Sequence, residues 1–195
     1  MFDIEKEYDS IFSWRSERYI HNFEELLNEC KIEFAYPLKI FSNLIKTGES
    51  NACLKALAMN IIYLIYEANE CYILGEFQSC ILTCGAVVER VLKLEYEKVK
   101  GALPKGNWTL GKCINRLDWK GTSITNEILE NAKKLIEPKN SQAHGLLEHS
   151  DPILAFIGGK NRGIESGDGK YLIEPYRGEA LECIKSTYSI LHTLY

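Results

Sequence analysis

The sequence predicts an all-α fold, a helical bundle built on one long antiparallel hairpin, and three observations carry that expectation. Apolar residues recur at three- and four-residue steps over most of the chain. Two long stretches of this kind are separated only by a short break at Gly75, so they must fold back on one another. Glycine-punctuated, strand-like sequence is confined to one region, Pro152 to Tyr176. With 195 residues, 46% hydrophobic and 26% charged, the composition is that of a globular protein and excludes disorder and low complexity. Folding at this length removes roughly 70% of the unfolded chain's surface from water, which supplies a core without metals or disulfides.

Each element follows from local pattern. Residues from about Phe2 to Phe34 alternate apolar and charged at helical spacing and read as two helices interrupted near Trp14 to Tyr19. Pro37 starts a connecting stretch or short helix ending around Gly48. From Ala52 to Leu74, Leu54, Leu57, Ile61, Leu64, Ala68 and Cys71 share one face of a long helix that Gly75 ends. A second long helix runs from about Phe77 to Val99, with Cys80, Cys84, Val87, Val91 and Leu94 as its stripe. Gly101, Pro104 and Gly106 open a loop, and Trp108–Leu117 and Ile124–Ile136 supply two more helices, the latter capped by Ser123 or Thr125. Pro138 suits the first position of a helix, so a break is expected at Glu137 and a restart through Lys139 to about Leu147. Ser166-Gly167-Asp168-Gly169 resembles the turn of a small β-hairpin, an insertion at about 152–177 before the C-terminal helix. That last helix, Glu179 to Tyr195, aligns Leu181, Ile184, Tyr188, Leu191 and Tyr195.

Charge, cysteines and hydropathy then narrow the function. The net charge of −4 argues against a non-specific nucleic-acid binder. Its distribution is uneven, because residues 85–120 carry an excess of +4 in Arg90, Lys93, Lys98, Lys100, Lys105, Lys112, Arg116 and Lys120. Solvated helix faces account for such a run, and a phosphate-facing stripe is the alternative. Seven cysteines form an odd set without a C-x-x-C pair, which suits a reduced cytoplasmic chain, and Cys80 and Cys84, one helical turn apart in an apolar pattern, read as small core hydrophobes. The N-terminus lacks the apolar core of a signal peptide. The most apolar run, Ala56 to Tyr66, is shorter than the roughly 20 residues a membrane crossing needs, so no membrane role is expected.

Common catalytic signatures are missing by spacing. Gly158-Gly159-Lys160 and Gly169-Lys170 lack the upstream glycine and following Ser/Thr of a P-loop, and no G-x-S-x-G, H-E-x-x-H or paired-carboxylate motif occurs. No metal or cofactor is therefore expected. His21 and His192 lie in amphipathic patterns, and His149 has no evident partner. Glu89, flanked by Val87, Val88 and Val91, reads as a half-exposed carboxylate paired with Lys93 one turn on. His144 differs through its neighbours, Lys139-Asn140-Ser141-Gln142-Ala143-His144-Gly145. On a helix Asn140 and His144 share a face, whereas Lys139 and His144 point about 140° apart. One chain does not converge both on one atom, but two chains about a twofold can.

These residues resemble a known family. Tyr66-Glu67-Ala68-Asn69-Glu70-Cys71-Tyr72, Gly75-Glu76-Phe77, Gly85 to Lys93, Trp108-Thr109-Leu110-Gly111, and Lys139-Asn140 ahead of Ala143-His144-Gly145 look like the HEPN superfamily, closest to bacterial HEPN-like domains of unknown function found around defence systems. The resemblance covers roughly residues 52–147 and the last helix. It implies a HEPN-like domain over 51–195, with 1–50 as an N-terminal helical extension, and a homodimer in which two R-x(4–6)-H motifs meet and cut single-stranded RNA without a metal. His144 matches the histidine and Asn140 the polar position, while Lys139 stands where the family has arginine. In that reading His144 moves the proton, Lys139 meets the phosphate charge and Asn140 orients the imidazole. Lysine lacks the planar fork with which arginine holds two phosphoryl oxygens. Two functions are thus expected: a metal-independent endoribonuclease, acting as a toxin or antiviral effector with an antitoxin or defence partner, or an inactive HEPN-like module that binds a partner protein or nucleotide.

Overall fold

A computed structural model describes residues 19–30, 35–48, 52–148 and 176–195, without the side chains of 35–38, 47–48 and 143–148. Helices account for all the regular structure among the described residues: α1 (19–30), α2 (Ala35–Gly48), α3 (Ala52–Leu74), α4 (Phe77–Lys100), α5 (Leu110–Arg116), α6 (Asn126–Lys133), α7 (Ile136–Glu148) and α8 (Arg177–Leu194). The all-α class is therefore as expected. The first N-terminal helix, the β-hairpin at 152–177 and its Ser166–Gly169 turn lie outside the described residues.

The α3–α4 hairpin forms because the chain reverses at Gly75, whose φ of 77° is costly for any residue with a Cβ. Its amide donates to the Tyr72 carbonyl (3.0 Å) and that of Glu76 to the Cys71 carbonyl (2.7 Å), the pair of bonds that closes a helix on a left-handed residue. Helix α4 is the centre of the bundle: α3, α5, α7 and α8 all pack on it, α2 covers α3, and α6 lies against α8. Its expected stripe of Cys80, Cys84, Val87, Val91 and Leu94 is fully buried, and Ile81, Val88 and Leu92 are buried beside it. A side chain of that size contributes about 1.5–3 kcal/mol when fully buried.

One buried face and two boundaries differ from the sequence pattern. In α3 the buried line is Leu54, Ala58, Ile61, Ile65, Ala68 and Tyr72, with Leu57, Leu64 and Cys71 on its partly buried flank. The helix is apolar over a wide arc, and the core takes the side that meets both α2 and α4. Helix α5 begins at Leu110, because Trp108 belongs to the loop, its indole N–H donating to the Pro104 carbonyl (2.6 Å). The break expected at Glu137 falls at Lys134–Leu135, and Pro138 sits within the first turn of α7, where its missing N–H has no intrahelical partner to lose. Of the two possible caps for α6, Thr125 is used, its Oγ1 accepting from the Ile128 amide (3.3 Å).

The N-terminal helices are tied into the bundle. Asn22 of α1 is fully buried and its Nδ2 donates to the carbonyls of Tyr72 and Ile73 (both 3.2 Å) in the last turn of α3, joining the Gly75 amide on the first of them. Glu25 accepts from the Tyr72 hydroxyl and from Arg177 Nε (2.9 Å) and Nη2 (2.7 Å), joining α1, α3 and α8 through one carboxylate. Asn43 of α2 donates to the Tyr195 carbonyl.

Candidate functional site

The charged cluster nearest the expected motif is centred on Glu89, on the side of α4 that faces α5 and α7. One oxygen, Oε1, accepts from Lys93 Nζ one turn on (2.7 Å), the pairing its spacing predicts. The other, Oε2, accepts from Lys139 Nζ of α7 (3.0 Å) and from the Leu110 amide (3.0 Å), an N–H that the first turn of α5 leaves without an intrahelical partner. The three side chains are 18% (Glu89), 12% (Lys93) and 22% (Lys139) exposed, so solvent screens the contacts only in part. Burial pushes the Glu89 carboxyl up, but the hydrogen bonds and charges of Lys93 and Lys139 outweigh it and hold the group below its ordinary value.

Lys139 reaches this carboxylate because α4 has no side chain at Gly85. A Cβ there would stand 2.6 Å from Lys139 Cδ, 3.1 Å from Cγ and 3.3 Å from Cβ, so the lysine stem fills the notch and carries its ammonium to Glu89. Of the expected site residues, Lys139 is thus packed against α4, Asn140 is exposed on α7, and His144 belongs to the α7 backbone with its side chain outside the described residues. Sequence reasoning found the Glu89–Lys93 pair but not the two partners on Oε2. Gly85, a glycine inside an otherwise apolar helix, was the available signal for a close approach.

The basic excess of residues 85–120 is partly spent in the same way. Lys93, Lys98 and Lys100 are ion-paired, with Glu89, with the buried Glu95 (2.7 Å) and with Asp118 (3.1 Å). Arg90, Lys105, Arg116 and Lys120 remain exposed. Glu95 also accepts from the Tyr195 hydroxyl (2.7 Å), which ties α4 to the end of the last helix.

Cys80 and Cys84 pack in the core as expected, whereas Cys53 is exposed and Cys30 and Cys71 are partly buried. Cys80, Cys84, Cys113 and Cys183 are buried and none of the seven is in a disulfide. Burial pushes the thiols of Cys71 and Cys113 up to about 11 and that of Cys30 up to about 12, which suppresses their thiolates. Among the described residues no group of three or more His, Cys, Asp or Glu side chains is arranged to hold a metal ion. A cavity between α3, α4 and α8, lined by Ala68, Asn69, Cys84, Thr187 and Tyr188 among others, has about 10 Å³ of room, enough for a single water. No described helix is long and apolar enough to cross a membrane.

No family model matches the chain, and neither a curated protein nor a solved structure matches it. What stands is the class the structure itself defines, an all-α helical bundle.

Proposed function

We propose that this chain is a HEPN-like module that works by binding a partner protein within a defence assembly and does not cut RNA. The observation that supports this reading is the 3.0 Å contact between Lys139 Nζ and Glu89 Oε2. A cation that serves a phosphoryl transition state must be available to the oxygens on which charge builds. Here the ammonium stands on a carboxylate, and a phosphate drawn to it meets that like charge at close range. Lysine also lacks the forked donors with which arginine could hold Glu89 and a phosphate at once. In this reading Lys139 fastens α7 to α4, and the motif has kept its structural part.

A second reading keeps the metal-independent endoribonuclease. It is favoured by the two ammonium groups, Lys93 and Lys139, that share one carboxylate and leave a net positive charge beside α7, where Asn140 is exposed. The test is incubation of the purified full chain with single-stranded RNA in excess chelator. Intact RNA with the wild-type protein is the expected result. Cleavage by wild type that is lost in His144→Ala overturns the binding module and establishes the ribonuclease.

A further inference from the structure

The outward side of α3 carries two tyrosine–glutamate pairs, Tyr63 with Glu67 and Tyr66 with Glu70, and we infer that it docks an arginine-bearing helix of a different protein. The members of each pair are four residues apart on one helix, which sets their Cβ atoms about 5–6 Å from one another. At about 100° per residue, Met59, Tyr63, Glu67, Glu70 and Leu74 fall within an arc of about 80° opposite the buried line, with Tyr66 at its edge. Met59, Tyr63 and Leu74 are 50%, 69% and 51% exposed, a run of large apolar groups along the face. Tyr66 keeps 54% of its surface although its ring centroid lies 5.2 Å from that of Phe41 of α2, a contact that holds the ring as one wall of the face. Glu67 and Glu70 are exposed, and neither takes part in an ion pair or hydrogen bond among the described residues.

The charge of the face selects the occupant. The last turn of α3 holds no basic residue, so the partial negative charge of the helix end adds to that of the two carboxylates. Nucleic acid and anionic lipid are repelled by such a face. A second copy packed α3 to α3 has no cation to offer it, because Lys55, the one basic residue of the helix, lies about 120° round the axis from Glu67. A guanidinium fits each pair better than an ammonium does, since it gives the carboxylate two parallel N–H donors while its plane stacks on the tyrosine ring. The second pair follows the first by three residues, about 4.5 Å along the axis, so the partner helix presents two arginines one turn apart and lays apolar residues against Met59 and Leu74. Tyrosine and arginine are the groups that carry interface energy. One helix face is small for an interface, so the contact is a transient one. The inference rests on the binding-module reading and gives the chemistry of its partner.

The probes are three labelled amphipathic helical peptides of about 18 residues, long enough to span the face, with a leucine stripe and two arginines one turn apart, or lysines or glutamates in their place. Fluorescence anisotropy follows their titration with the full chain. The arginine peptide binds with a Kd of about 10–100 µM, the lysine peptide binds about threefold more weakly, and the glutamate peptide does not bind. Tyr63→Ala weakens the arginine peptide about tenfold. Glu67→Gln with Glu70→Gln weakens it to a similar extent and flattens its salt dependence. Circular dichroism confirms folding of each variant, and Met59→Ala replaces Tyr63→Ala if that one fails to fold. An arginine peptide that does not bind, a lysine or glutamate peptide that binds as tightly, or an affinity indifferent to the tyrosine or to the two carboxylates overturns the inference. Cleavage of RNA by the wild type removes the binding-module reading whatever the peptides do, whereas intact RNA with no peptide bound removes this face alone.

Discussion

Lys139 and Glu89 are fifty positions apart in the chain, yet the ammonium of one lies 3.0 Å from the carboxylate of the other. The contact depends on the space above Gly85, through which the lysine stem passes. A helix–helix approach, an ion pair and the first N–H of α5 therefore share one carboxylate.

The notch itself is the first point to test. Gly85→Ala removes a helix-interior glycine, which alone favours folding by roughly 0.5–1 kcal/mol. It also places a methyl group in the path of the Lys139 stem, an overpacking that costs about 1–3 kcal/mol. The account expects a net loss of roughly 1 kcal/mol in urea unfolding. In a Lys139→Ala background, where the notch is empty, Gly85→Ala is expected to cost little.

The acid limit of stability follows from two carboxylates. Burial raises Glu25 and Glu89, but hydrogen bonds from Tyr72 and Arg177 to the one, and from Lys93 and Lys139 to the other, more than offset it and leave both below the ordinary value of 4.5. A group whose folded value is depressed contributes stability that is full above the unfolded value and is lost as the pH falls through the folded one. Urea midpoints are expected to hold down to about pH 5 and to fall steadily below it. Glu89→Gln lowers the midpoint at neutral pH and makes the acid branch shallower; an unchanged acid branch refutes the assignment.

Thiol chemistry gives a third test. Cys53 is exposed, whereas Cys80, Cys84, Cys113 and Cys183 are buried, and burial pushes Cys30 and Cys71 up. A thiol reagent added to native protein is expected to modify Cys53 first, and all seven only after denaturation. Mass spectrometry of the labelled peptides reads the order.

Asn22 predicts the strength of the α1–α3 junction. Its amide serves two carbonyls at the end of α3 from a fully buried position. Asn22→Ala leaves those carbonyls without it and is expected to lower stability by about 1–3 kcal/mol. Asn22→Asp costs more, because a carboxylate meets two acceptors.

How far the sequence alone led depends on the range of the interactions. The α3–α4 hairpin was legible because its determinants are local: helical periodicity on both sides and one glycine where the chain must turn left-handed. The pairing of Glu89 with Lys93 was legible for the same reason, four residues on one helix. The core line of α3 was read one position off in part, since Leu57, Leu64 and Cys71 are as apolar as Ala58, Ile65 and Tyr72 and only the neighbouring helices choose between them. The start of α7 was placed late, because Pro138 is compatible with the whole first turn and not only its first position. The site was least legible: a lysine's partner fifty residues away is set by where two helices cross, and the sign of that crossing was a single missing side chain at Gly85.

The most direct measurement is a double-mutant cycle on the contact that carries the functional reading. Unfolding free energies of wild type, Glu89→Gln, Lys139→Met and the double variant are compared at neutral pH. If Lys139 is committed to Glu89, the cycle shows a favourable coupling of about 1–2 kcal/mol, with Glu89→Gln the costlier single change because Lys93 and the Leu110 amide lose their partner too. Effects that add to within about 0.3 kcal/mol mean that the ammonium is not held there, and the lysine is then free for a phosphate.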